Sequence, residues 1–314
     1  MSLDLSFFNQ VEFHFMNRAL LLACVLAVPV MVPAQQSNRP AITGIAFARF
    51  YTTNVAGAER FYGSTLGFNG QQVGGDRIYP VNRSQWIEVT SATPQDPNVR
   101  MAAVGFTTRD AAALEQYLKA HSVAIELPLE SGEFAVRDPE GNLVVFVQRD
   151  SNKAVVQALP SPKATSGRII HVGFIVSDPN KEDTFWRTLL GFRPYWHGGQ
   201  ADARTDYVSL QVPDGTDWLE YMLNSGSNST LQHNGVMDHF SLGIDHMSDV
   251  LSALQRNQCE GPNCSKTKIG RDGKVQLNLF DPDLTRVEYM EFIPMREPCC
   301  SPFTGKHPSS TEDR

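Results

Sequence analysis

Ile169-Ile170-His171-Val172-Gly173-Phe174 is an apolar run with one ionisable side chain near its middle, and His239-Phe240-Ser241-Leu242 repeats the form 68 residues later. Two further runs, Trp218-Leu219-Glu220-Tyr221-Met222 and Val287-Glu288-Tyr289-Met290, each carry one glutamate. His171 precedes Glu220 by 49 residues, His239 precedes Glu288 by 49, and the single shift of 68 maps one pair onto the other. Short apolar runs of this kind read as strands. A carboxylate buried without a partner is costly, so two imidazoles and two carboxylates kept in phase by a duplication point to one shared cation.

The repetition extends over half-chains. Phe61-Tyr62 followed by Leu66-Gly67-Phe68 recurs 124 residues on as Phe185-Trp186 followed by Leu190-Gly191-Phe192. In each case a strand-like run leads into an amphipathic helix whose end is marked by the glycine. Asp138-Pro139-Glu140-Gly141-Asn142 and Asp281-Pro282-Asp283-Leu284-Thr285 each separate two strand-like runs and predict hairpins. Four quarters, residues 41–97, 99–149, 168–223 and 237–293, therefore each read as strand, helix and about three strands. The prediction is an α+β chain of four βαβββ modules paired into two domains, 41–150 and 168–293. Residues 151–167, with Leu159-Pro160-Ser161-Pro162, have the composition of a linker, and 294–314 form a tail.

A chain of 314 residues, 41% hydrophobic and 19% charged, can bury one large core or two modest ones. A net charge of −7 and a pI near 5.6 weigh against nucleic acid as a partner. At the amino end, Met16-Asn17-Arg18, the apolar stretch Ala19 to Met31 and Val32-Pro33-Ala34 form an export signal over residues 1–34, with translation from Met16 fitting the pattern best. The mature protein is expected to be secreted or periplasmic, with no membrane association after signal removal. Four cysteines then remain, Cys259, Cys264, Cys299 and Cys300, in no zinc-type spacing. Either a bridge ties the tail to the last module or the thiols are free.

A βαβββ unit used in pairs, with a histidine on its first strand and a glutamate on its last, resembles the vicinal oxygen chelate superfamily, which includes glyoxalase I, the bleomycin-resistance proteins and the extradiol dioxygenases. The resemblance covers about residues 41–293 and implies that each pair of modules curves one mixed sheet into an open cup. It further implies that His171, Glu220, His239 and Glu288 are metal ligands on the floor of the second cup. Nitrogen and carboxylate donors without sulfur suit one divalent metal among Zn, Ni, Mn, Co and Fe(II). Aligning the landmarks puts Phe47 opposite His171, Ala102 opposite His239 and Val145 opposite Glu288, so the first half is expected to bind no metal. Only Glu88, opposite Glu220, persists, which leaves open that Glu220 serves the fold and not the metal.

Three functions follow for a small-molecule substrate. Proton-transfer chemistry (isomerase or lyase) on a substrate that chelates the metal through vicinal oxygens uses all four ligands, with Glu220 or Glu288 as the catalytic base. An Fe(II) extradiol ring-cleaving dioxygenase uses only His171, His239 and Glu288, and has Asn224 and Asn278 where acid–base residues are expected; His197, His233 and Tyr207 lie near in sequence but in no matching motif. A resistance-type protein holds a small molecule without chemistry.

Overall fold

The computed structural model describes residues 39–94, 98–149, 161–226 and 230–312; the export signal read at 1–34 and most of the linker lie outside the described residues. The first half contains β1 (Ile42–Tyr51), β2 (Gln71–Val73), β3 (Asp76–Pro80), β4 (Trp86–Thr90), β5 (Met101–Thr108), β6 (Ile125–Glu130), β7 (Glu133–Arg137) and β8 (Leu143–Gln148). The second contains β9 (Ile169–Ile175), β10 (Arg193–Gly198), β11 (Tyr207–Gln211), β12 (Trp218–Met222), β13 (His239–Ile244), β14 (Thr267–Ile269), β15 (Val275–Phe280) and β16 (Arg286–Glu291). They form two eight-stranded mixed sheets of identical topology, β2-β3-β4-β1-β5-β8-β7-β6 and β10-β11-β12-β9-β13-β16-β15-β14, each curled into a half-barrel. Both Asp-Pro segments are hairpin turns, between β7 and β8 and between β15 and β16.

Each module's first strand runs into a helix. Asn54, Asp110 and Asp178 cap three of these by accepting a backbone N–H from three residues on. The helices that open the two halves begin as α-helix (Val55–Ala58, Pro179–Asp183) and widen into π-helix (Glu59–Thr65, Thr184–Leu189), a departure from the regular helices expected. The widening closes with Leu66 N–H on Phe61 O at 2.9 Å and Leu190 N–H on Phe185 O at 3.0 Å. Gly67 and Gly191 then reverse the chain at φ +77°. At Gly67 a β-carbon would also lie 2.1 Å from the Lys163 carbonyl oxygen.

The helices and the outer faces of both sheets share one apolar core, in which Phe50 packs on Phe240 and Phe106 on Trp186 with ring centroids 5.7 and 5.4 Å apart. Two smaller clusters are private to the halves. Phe47, Trp86, Ala103, Ala135 and Val145 belong to the first; Tyr195, Trp196, Trp218, Met290 and Phe292 to the second.

The halves are locked together by reciprocal polar contacts. Gln85 and Asp217 each precede the tryptophan that opens a strand. The Gln85 amide donates to Ile169 O at 2.8 Å and accepts from Ile169 N–H at 2.9 Å, while Asp217 accepts from Ile45 N–H at 3.0 Å and from the Gln85 amide at 3.2 Å. Arg168 supplies the counter-charge, 2.7 Å from Asp217. The third residue of each Asp-Pro turn repeats the exchange at the periphery. Asp283 accepts from Thr53 N–H at 3.0 Å and from the Thr53 hydroxyl. Glu140 accepts from Ser177 N–H at 2.7 Å and from the Ser177 hydroxyl. Thr53 and Ser177 are related by the same 124-residue shift as the helices.

The cysteines do not tie the tail to the last module. Cys259 pairs with Cys264, brought to a Cα separation of 5.9 Å by the short 3-10 turn Pro262–Ser265, and Cys299 pairs with its neighbour Cys300. The tail is held instead by side chains: Glu312 lies 2.6 Å from Arg168, Gln211 donates to Lys306 O at 2.8 Å, and His307 Nδ1 sits 2.6 Å from the Tyr195 hydroxyl.

Burial pushes the Asp217 carboxyl up to about 6, with Arg168 pulling the other way. Replacing Arg168 with methionine removes that pull, so the folded state holds the Asp217 proton to still higher pH than the unfolded chain does. The variant is expected to lose about 3–5 kcal/mol at pH 8, where a buried charge has lost its counter-charge, and markedly less at pH 5. Urea unfolding at the two pH values checks this; equal losses would contradict it.

Candidate metal centre

Strand β9 lies between β12 and β13, and this position decides the site. In register, His171 stands beside Trp218 on β12 and Ser241 on β13, while Gly173 stands beside Glu220 and His239. Strand β16 continues both rows, placing Glu288 beside Ser241 and Arg286 beside His239. One row across the sheet therefore reads Trp218, His171, Ser241, Glu288, and the next reads Glu220, Gly173, His239, Arg286. Side chains two apart on a strand share a face, so all four predicted residues project from the same face. Small residues sit between them. At Gly173 a β-carbon would lie 2.1 Å from Cε1 of His239, so the imidazole occupies the space that any other residue would fill.

The four side chains meet. His171 Nε2 is 3.0 Å from His239 Nε2 and 3.3 Å from Glu288 Oε2, and His239 Nε2 is 3.6 Å from Glu220 Oε2 and 3.9 Å from Glu288 Oε2. Both histidines are fully buried. Nδ1 of His239 lies 2.7 Å from the Met237 carbonyl, which can only accept, so the proton is on Nδ1 and Nε2 points its lone pair at the cluster. His171 Nδ1 is buried without a partner. Burial, reinforced by Arg286 and His171, holds the His239 pKa well below the usual imidazole value. Burial raises the Glu288 carboxyl, but Arg286, His171 and His239 outweigh it and hold it well below the carboxylate range. Burial and the Glu288 charge raise Glu220 against His171 and Arg286. An uncharged imidazole and an ionised carboxylate facing inward are the forms that coordinate a cation. The donor set thus fits a divalent metal, with His171 and His239 offering Nε2 and Glu220 and Glu288 offering carboxylate oxygens.

The carboxylates and Arg286 open onto a cavity of about 360 Å³, walled by Trp196, Tyr207, Met222, Gln276 and Met290, within the size range of small-molecule sites. Part of the hollow is filled by the tail: Phe303 packs on Tyr195 at 4.8 Å, and Trp196 Nε1 donates to Cys299 O at 3.2 Å. Lys274, fully buried, holds its ammonium 5.4 Å from the Trp218 ring centroid and 5.5 Å from that of Phe303. Burial lowers it to about 8, partly offset by Asp272. Neither the tail nor this lysine was legible as part of the site, because both reach it only through the fold.

The first half shows what the same framework does without ligands. Phe47 takes the place of His171 and stacks on Trp86 at 5.3 Å, as His171 lies over Trp218 at 4.9 Å. Val145 takes the place of Glu288. The counterpart of His239 is Ala103, not Ala102: Phe47 pairs with Gly105 as His171 pairs with Ser241, and Arg49 pairs with Ala103 as Gly173 pairs with His239. Glu88 is bonded to Arg49 and accepts from Trp86 Nε1 at 2.6 Å. Register places Arg49 where the second half has Gly173. Glu220 therefore lacks the arginine that occupies Glu88, and faces the histidines instead.

Of the residues considered for acid–base work, Tyr207 lines the cavity. Asn278 lies beside Glu288 with its Oδ1 buried and without a partner. Asn224 spends its amide on Asp206 and on Thr205 O, and His197, on β10, is exposed. His233, in the short helix Leu231–Met237, leaves Nε2 buried without a partner.

The family model of the Glyoxalase/Bleomycin resistance protein/Dioxygenase superfamily matches residues 44–146 and 168–289. The chain belongs to this superfamily. Solved structures share the fold at low identity. Homoprotocatechuate 2,3-dioxygenase from Arthrobacter globiformis matches with a TM-score of 0.57 and 16% identity over 81% of this chain and 80% of that one. A catechol 2,3-dioxygenase matches at 0.59 and 16% over 87% and 97%, and a 2,3-dioxygenase from a Pseudomonas species at 0.59 and 14% over 88% and 97%. No curated protein sequence matches the chain.

Two substitutions test the centre. His239→Ala is expected to abolish metal binding with little loss of fold, because Phe240 and Leu242, buried in the shared core, hold the strand. Gly173→Ala is expected to weaken metal binding by about 10- to 100-fold by displacing the His239 ring. Metal content by mass spectrometry, with circular dichroism as the folding control, checks both; full occupancy in His239→Ala would remove it from the ligand set.

Proposed function

We propose that this chain is a metal-dependent enzyme that moves a proton on a small substrate bound through two adjacent oxygens, with His171, Glu220, His239 and Glu288 holding one divalent metal. The observation that carries this reading is the release of Glu220 from the arginine that binds its counterpart Glu88, which leaves a second carboxylate beside His239 at the cavity floor. A metal held there supplies Lewis acidity, which polarises a chelated oxygen and acidifies the neighbouring C–H.

Glu220 is the base. Its side chain is the more open of the two carboxylates, 13% exposed against 5% for Glu288, and its oxygen Oε1 accepts a long hydrogen bond, 3.3 Å, from the Ser209 hydroxyl. Glu288, held 3.3 Å from His171, stays as a charged anchor. Met237 keeps His239 oriented, and Trp196, Met222 and Met290 keep bulk water from the floor. A secreted or periplasmic location, proposed from the export signal, favours a substrate that needs no intracellular thiol cofactor.

The second reading, an Fe(II) extradiol dioxygenase using His171, His239 and Glu288, has the support of the solved structures named above, each described as a 2,3-dioxygenase. It leaves Glu220 without a task and puts Asn278 where an acid–base side chain is expected.

Deuterium exchange at the carbon beside the carbonyl of hydroxyacetone, followed by proton NMR in metal-loaded protein, separates the two. Glu220→Gln is expected to lower exchange by about 100-fold or more, since an amide cannot accept the proton, while retaining metal. Unchanged exchange, or O2 uptake with catechols that survives the substitution, would favour the iron triad instead.

A further inference from the structure

Among the polar residues of the cavity that the proposed reaction does not use, Arg286 lies nearest in register to the metal ligands. It stands beside His239 in the row that begins with Glu220, two residues before Glu288. The repeat places it in the position that Trp218 holds on β12, where the tryptophan packs over His171. Packing alone would favour another apolar side chain there. Instead the guanidinium lies in the cavity wall with Nε buried and without a hydrogen-bond partner, and among the described residues its side chain forms no ion pair.

The charges nearby do not satisfy it. Glu220 and Glu288 balance a divalent metal between them. Asp272, in the same wall, has its charge offset by the buried ammonium of Lys274. Arg271, the other arginine of the cavity, is occupied by Asp202 and by Gly199 O. With metal bound, two positive charges in the cavity lining stay uncompensated: Lys268, on the exposed strand β14 where water serves it, and Arg286, whose Nε is buried and for which an unpaired state is costly. Arginine meets planar oxyanions with two parallel N–H donors.

We infer that Arg286 is the specificity-determining residue of the site and that the substrate carries an anionic oxyacid group in addition to the two oxygens that bind the metal. This rests on the metal-centre reading and deepens it: the substrate is a chelating acid, held at one end by the metal floor and at the other by the guanidinium. The substrate's charge also compensates Arg286 when it occupies the cavity.

The test uses the whole protein loaded with Co(II), titrated without oxygen and followed by the visible absorption of the metal. Three probes share the same vicinal oxygens: 3,4-dihydroxybenzoate, its neutral carboxamide, and the corresponding phosphonate. The native protein is expected to bind an anionic probe roughly 10- to 100-fold more tightly than the carboxamide, the range for a hydrogen-bonded charge pair; which of the two anions wins distinguishes a carboxylate from a phosphate-like group. Arg286→Met is expected to reduce that preference to within about threefold while leaving carboxamide binding and cobalt content in place, and Arg286→Lys to retain part of it. A preference that survives Arg286→Met, a native protein that binds all three probes alike, or an equal loss of all three in the variant would overturn the inference while leaving the metal centre standing. A native protein that takes up no cobalt would overturn both.

Discussion

Everything in the site depends on strand β9 being hydrogen-bonded on both sides. Because β12 and β13 flank it, and β16 extends the sheet beyond β13, residues from all four strands fall into two cross-strand rows. The rows converge only because the residue two places after each histidine is small. Gly173 gives its space to the His239 ring, and Ser241 separates His171 from Glu288 without filling the floor. A larger side chain at either position would turn a concave polar floor into a packed one. In the first half the corresponding space is closed from the ligand positions instead, by Phe47, Ala103 and Val145, with Gly105 where the second half has Ser241 and Arg49 where it has Gly173.

The two halves differ in their hollows and agree in how they hold each other. Gln85 and Asp217, at equivalent positions, exchange hydrogen bonds across the junction, as do the third residues of the two Asp-Pro turns. These contacts use Ile45 and Ile169 on the central strands, the residues just before β4 and β12, and the turn residues, and none of the ligands, so the ligand positions of one half can change without loosening the interlock. The first half packs its hollow with apolar side chains and pairs Glu88 with Arg49. The second keeps its hollow polar, substitutes glycine for that arginine, and leaves Glu220 and Arg286 facing the cavity.

The parts of this organisation that repeat were readable in the chain. The 68-residue shift between His171–Glu220 and His239–Glu288 located the four side chains, and the Asp-Pro turns and Leu-Gly-Phe segments located the modules. Strand alternation, two residues either side of each glutamate, likewise assigns Arg286, Met290, Trp218 and Met222 to the ligand face. What spacing could not convey was register: the cross-strand pairing makes Ala103, one residue from Ala102, the counterpart of His239. Nor could it reveal contacts between segments distant in sequence. The tail, with Phe303 against Tyr195 and Glu312 on Arg168, has no periodicity to betray where it packs. The cysteine pairing was open for the same reason, since it is set by a local turn and by adjacency and not by the module pattern.

The central claim is that a single divalent metal sits where the two rows cross. Anomalous diffraction from crystals of the full chain, collected above and below the absorption edge of the metal it carries, tests this directly. The account predicts one anomalous peak per chain, within bonding distance of Nε2 of His171 and His239 and of carboxylate oxygens of Glu288 and Glu220, and none in the hollow lined by Phe47. A metal-loaded crystal with its peak elsewhere, or with the four side chains turned away from it, would contradict the account.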